Sequence, residues 1–98
     1  MDPFTILYFI GLALAGATAI VVVYLGIQTV RDYLRNKRTE KAIKEAAVIM
    51  KKQLDTGSIR VIAGFLDGND IRDAQVWDAK DVDSNIRSLN DGEVVIVT

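Results

Sequence analysis

"PFTILYFIGLALAGATAIVVVYLGIQTV", residues 3–30, decides how the chain is first read, because none of its 28 residues carries a charge. A helix rises ~1.5 Å per residue, and about 20 apolar residues cross the ~30 Å hydrocarbon layer of a bilayer. Residues 4–27 taken as a helix are roughly 36 Å long, enough to span with some tilt. A buried helix of a soluble core seldom stays uncharged on every side for this length. The stretch therefore predicts one transmembrane helix, within an anchor of residues 1–30. A cleaved signal peptide is the competing reading, since ALAGATA at residues 13–19 has small-x-small spacing. Against it, the preceding tail is acidic at Asp2, and the apolar run continues through IVVVYLGI at 20–27. The segment is expected to be retained.

Beyond the anchor, the net charge of −1 conceals a division. Residues 31–54 carry eight basic side chains against Asp32, Glu40 and Glu45, a net +5, whereas residues 55–98 carry four against nine acids, a net −5. Basic residues directly after a span resist translocation, which predicts an outer N-terminus and a cytoplasmic C-terminal part. Arg31, Arg35, Lys37, Arg38 and Lys41 are the candidate membrane-surface residues. Tyr24 and Tyr33 would bracket the inner interface, with Phe4 and Tyr8 near the outer one. Within the span, Gly11, Ala15 and Ala19 recur every fourth residue, a small-residue stripe that lets another membrane helix approach.

No helix breaker follows Val30, so the helix is expected to continue as a basic amphipathic stalk over residues 31–57. Ile43, Ala47, Met50 and Leu54 follow a 4-3-4 spacing that places them on one apolar stripe. Gly57 is the expected C-terminal cap. Residues 58–98 then read as a small acidic β-β-α-β head. SIRVIAGFL at 58–66 alternates as a strand, DGND at 67–70 is turn chemistry, and 71–77 is expected to complete a hairpin. Asp78 is a candidate N-cap for a helix over 79–89. The closing GEVVIVT at 92–98 forms the last strand, with Val95 and Val97 on one face and Val94 and Ile96 on the other. Apolar on both faces, that strand needs cover on both sides, which a head of about 41 residues with one short helix does not supply. Trp77, Val94, Val95, Ile96 and Val97, with the stalk stripe, are therefore the candidate interface residues. The fold class expected is α+β: a transmembrane helix, a stalk helix and a β-β-α-β head.

Chemistry is sparse. The chain has no cysteine and no histidine, which removes disulfides, thiolates and the usual neutral-pH base. Asp67, Asn69, Ile71, Asp73, Gln75 and Asp78 fall at calcium-loop spacing, but Ile71 occupies a ligand position and Arg72 stands where the turn needs glycine. A second frame from Asp81 ends on Gly92 where a bidentate glutamate is required. No P-loop, dinucleotide fingerprint or nucleophile elbow is present. Basic residues without interleaved aromatics, beside an acidic head, do not make a nucleic-acid surface. No catalytic, cofactor or metal residues are assigned, and no small-molecule substrate is expected. In layout alone the chain resembles small single-span accessory subunits of membrane complexes and minor membrane proteins of phages that carry a bilayer beneath the capsid. The expected function is a non-enzymatic membrane-anchored structural or assembly protein, whose partners are the bilayer, other copies of itself and other subunits of a larger assembly. The alternative is a lipid-responsive adaptor whose basic stalk switches between anionic lipid and the acidic head.

Overall fold

A computed structural model describes residues 18–68 and 70–97, which form a small α+β fold of one five-stranded sheet and two helices. In chain order these are β1 (Ala19–Leu25), α1 (Ile27–Lys41), β2 (Ala47–Gln53), β3 (Ile59–Asp67), β4 (Asp70–Val82), α2 (Ser84–Arg87) and β5 (Val95–Ile96). The sheet order is β1-β4-β3-β2-β5. Strands β2, β3 and β4 are an antiparallel meander; β1 runs parallel to β4 at one edge, and β5 runs antiparallel to β2 at the other.

The meander follows from turn chemistry and alternation. Gly57, at φ 92°, closes the β2–β3 turn, where the Leu54 amide donates to the Ser58 carbonyl at 2.9 Å. Gly68, at φ 63°, closes the β3–β4 hairpin; a residue with a Cβ is strained at such angles. On β3, Ile59, Val61, Ala63 and Phe65 are all buried and face α1. Val30 and Leu34 of α1, Trp77 and Ala79 of β4 and Ile86 of α2 complete this core. Each Val, Leu, Ile or Phe among them contributes about 1.5–3 kcal/mol on burial. At Gly64 the β3–β4 register shifts, and a Cβ there would collide with Ile71 and sit 2.9 Å from the Arg72 carbonyl oxygen. Glycine is what lets the bulged β4 backbone come this close.

Several sequence expectations need correction. The stalk helix expected over 31–57 stops at Lys41, because Ala42 turns left-handed (φ 51°) and its amide, like that of Ile43, donates to the Arg38 carbonyl. Residues 47–53 are β2 rather than helix. Ala47, Val48, Ile49 and Met50 are all buried, and a segment with no solvent face suits a central strand covered on both sides. Ile43, Ala47, Met50 and Leu54 consequently do not share a stripe: Ile43 lies in the α1–β2 loop, Ala47 faces α1, Met50 faces the opposite side of the sheet, and Leu54 begins the turn. The stalk and head thus share one sheet and one core. The helix expected over 79–89 is shorter, since β4 runs to Val82 and only Ser84–Arg87 is α-helical. Its N-cap is Asp83, not Asp78.

The expected membrane span falls largely on residues 1–17, which lie outside the described residues, as do Gly11 and Ala15. Ala19 opens β1. The described part of the expected span is a strand followed at Ile27 by α1, not one helix. Among the described residues no helix is long and apolar enough to cross a membrane.

Candidate functional site

Helix α1 begins without a side chain of its own to cap it, Gly26 being the N-cap residue. Asp83, 56 positions away, supplies the cap: its Oδ2 accepts from the Ile27 amide at 2.7 Å, and its Oδ1 accepts from the Ile86 amide at 3.0 Å. One carboxylate therefore starts both helices, and the Asp83 amide donates to the Leu25 carbonyl at 3.1 Å, tying β4 to the end of β1. Partial burial pushes the Asp83 carboxyl up, but the amides of Ile27, Ile86 and Asn85 and the charge of Arg31 outweigh it and hold it below its ordinary value.

From that fixed start, Arg31, Arg35 and Arg38 recur at i, i+4 and i+7 and so line one side of α1. They border a groove of about 290 Å³ whose apolar floor is Leu34, Ala47 and Val97. A second groove of about 220 Å³ continues past Arg31 and Val97 between Ile27, Ile49, Leu89 and Val95. The three arginines are not equivalent. Arg38 donates to the carbonyls of Ile43 at 2.9 Å and Glu45 at 3.0 Å, and its guanidinium lies 5.3 Å from the Phe65 ring centroid. It holds the α1–β2 loop and has little left to offer a ligand. Arg35 has one exposed contact, with Asp32 at 3.5 Å. Arg31 is exposed and faces Asp83 only through space.

The other two expected membrane-surface residues point elsewhere. Lys37 lies 3.8 Å from Glu40, and Lys41 bonds Asp73 at 2.7 Å. The hydrogen bond from Lys41 comes first among the causes that hold the Asp73 carboxyl low, with Arg72 adding to it against partial burial. The Tyr33 hydroxyl donates to the Asp73 carbonyl at 2.7 Å, and its ring meets Trp77 edge-on at 5.7 Å. Trp77 itself is buried in the core rather than presented to a partner.

The terminal segment docks along the free side of β2. Val48 and Ile49 pair with Ile96 and Val95, the Val97 amide donates to the Ala47 carbonyl at 2.8 Å, and the Gly92 amide donates to that of Lys51 at 2.8 Å. Val95 and Val97 pack on the α1-side core, and Val94 packs on the opposite face. Ile96 is 61% exposed. At the other edge, Val21 and Val23 of β1 are 78% and 74% exposed, an unusual amount of apolar surface for an edge strand.

Sequence reasoning assigned no role to Asp83 as a helix cap or to Gly64, and gave Tyr33 no part in the fold. Asp83 precedes Ser84 and Asn85, a weaker local helix signal than the Ala79 and Lys80 that follow Asp78. Asp78 is instead taken up by Arg60, whose Nε and Nη2 donate to it at 2.6 and 2.7 Å across the β3–β4 pair. Among the described residues no group of three or more acids is placed to hold a metal ion. Comparison with protein-family models, curated proteins and solved structures finds no match.

Proposed function

We propose that the protein is a non-enzymatic, single-pass membrane protein that anchors its α+β head at a bilayer surface and docks on neighbouring subunits of an assembly. The observation that carries this reading is the uncharged stretch 3–30 followed at once by the arginines of α1. Sixteen uncharged residues precede β1, about 24 Å as a helix, somewhat short of the ~30 Å layer. The exposed Ile20, Val21, Val23 and Tyr24 extend the same apolar surface onto the edge of the head. Arg31 and Arg35 then stand where anionic headgroups would meet the head, with the N-terminus outside and the head on the cytoplasmic side. The groove beside them, with its apolar floor, suits an acyl chain end or an apolar side chain below an anionic group.

Alkaline carbonate extraction and two-sided proteolysis test this reading. The chain should stay with the membrane, and protease should remove the head from the cytoplasmic face alone. Release by carbonate would overturn the anchor, and digestion from the outer face would overturn the orientation. The lipid-responsive adaptor is a second reading, favoured by the near absence of ion pairing at Arg31 and Arg35. It requires binding that weakens with salt, as surface attraction does when the Debye length falls below ~10 Å. Salt-independent anchoring supports the structural role.

A further inference from the structure

β1 is an edge strand without the devices that keep sheet edges apart. Its inner side pairs in parallel with β4, and no described strand pairs its outer side. Natural edges are blunted by lysine, by proline, by a bulge or by strong shortening. AIVVVYL at 19–25 has no charge and no proline, and it holds one register against β4 from Ala19 to Leu25. Ile20 and Tyr24 are exposed along with Val21 and Val23, so both faces of this edge are apolar.

We propose that β1 pairs antiparallel with β1 of a second copy of this chain, joining two five-stranded sheets into one continuous sheet. Backbone geometry is the first argument. Opposite residues in an antiparallel ladder either both turn their amide and carbonyl toward the partner strand or both turn them away. Two identical strands satisfy this only when a residue, not a peptide bond, sits on the two-fold axis. The register that pairs all seven residues centres on Val22, and it sets Val21 against Val23 and Ile20 against Tyr24 of the second copy. These are β-branched and aromatic pairs, which stabilise neighbouring strands. Charge is the second argument. Residues 19–30 carry none, so self-pairing brings no like charges together, and β1 has only the Tyr24 hydroxyl with which to select a foreign strand. Length is the third. The opposite edge strand, β5, has two residues against the seven of β1, so a β1-to-β5 row of copies gains little ladder. The closed two-fold pair gains the most.

The pairing rests on the assembly reading for its setting, since it names a second copy as the neighbouring subunit. It is measured on the full chain in density-matched detergent, or in plain buffer if carbonate releases the chain from membranes. Sedimentation equilibrium should show monomer and dimer in exchange. Val21→Lys and Val23→Lys alter exposed side chains and should leave Trp77 emission unchanged. Each should raise the dimer dissociation constant about tenfold, because two symmetry-related cross-strand pairs are lost at once. The chain has no cysteine, so introduced thiols read the register directly. Val21→Cys chains are mixed with an equal amount of isotope-labelled Val23→Cys chains and oxidised. The mixed disulfide should exceed either symmetric one severalfold, because like positions lie two residues out of register, roughly 7–8 Å apart. A monomer at every concentration, lysine variants that dimerise as the parent does, or a statistical mixture of the three disulfides overturns the pairing. The paired dimer found in carbonate-released chain leaves the pairing standing and refutes the anchor, so the two ideas fail separately.

Discussion

Replacing Asp83 with alanine removes a carboxylate that starts two helices at once. The Ile27 and Ile86 amides lose their acceptors, at 2.7 and 3.0 Å, and the positive end of α1 loses its neighbouring negative charge. Loss of one N-cap costs typically ~1 kcal/mol, and a charge at a helix start adds about 0.3–1 kcal/mol. The expected loss for Asp83→Ala is therefore about 2–3 kcal/mol. That is a large part of the ~5–15 kcal/mol available to a domain of this size. Asp83→Asn keeps an acceptor without the charge and should lose about half as much. Trp77, the only tryptophan and buried in the core, reports unfolding directly. Urea titration followed by its fluorescence should show the midpoint falling by roughly 1–2 M for the alanine variant, given a slope of about 1–3 kcal/mol/M. The pH dependence supplies a second reading. Because the folded Asp83 carboxyl titrates below its ordinary value, its contribution is complete above the unfolded pKa, near ~4, and is lost as pH falls through the lower folded value. The alanine variant should lose less stability than the parent over that acid range. An unfolding free energy within ~0.5 kcal/mol of the parent's would refute the double cap.

Gly64→Ala should destabilise by about 1–3 kcal/mol and shift the amide resonances of β3 and β4, because its methyl meets Ile71 and the Arg72 carbonyl; an unchanged urea midpoint would mean the bulge relaxes freely. Arg31→Gln and Arg35→Gln should each weaken flotation with anionic vesicles by roughly fivefold, from ~1 kcal/mol per basic residue, and leave the fold intact. Arg38→Gln should instead lower thermal stability, since its guanidinium bridges the Ile43 and Glu45 carbonyls. Val95→Asn should cost about 1–2 kcal/mol by placing an amide on the α1-side core, whereas Ile96→Asn should stay within ~0.5 kcal/mol; equal effects in urea titration would show that the two faces of the last strand are not distinct.

The β3–β4 hairpin was the most readable part of the sequence. Alternation at Ile59, Val61, Ala63 and Phe65 and the glycine of the 67–70 turn are local signals, and β3, its hairpin and the start of β4 lie where they point. The opposite phases of Val94 and Val95 were equally visible, because a period of two survives in even a short strand. β2 was not readable, because burial on both faces erases its alternation and leaves a spacing at Ile43, Ala47, Met50 and Leu54 that a helix also satisfies. The β-branched density of Ala19–Leu25 was a strand signal masked by the uncharged run around it. At the candidate site, the spacing of Arg31, Arg35 and Arg38 was local and legible. That Arg38 is consumed by two carbonyls, and that Asp83 caps a helix 56 residues earlier, depends on tertiary closure that no spacing records.

The parallel pairing of β1 with β4 sets a timetable for synthesis. Ala19 pairs with Val76, so the first strand waits for 57 further residues before its partner exists. At about 5–20 residues per second, that interval is roughly 3–11 s. During it the ribosome has delivered the whole uncharged stretch and none of the ladder that β1 will join. Until Val76 and its neighbours emerge, the exposed Val21 and Val23 of β1 have no strand beside them, and the edge of the sheet is completed last but for β5.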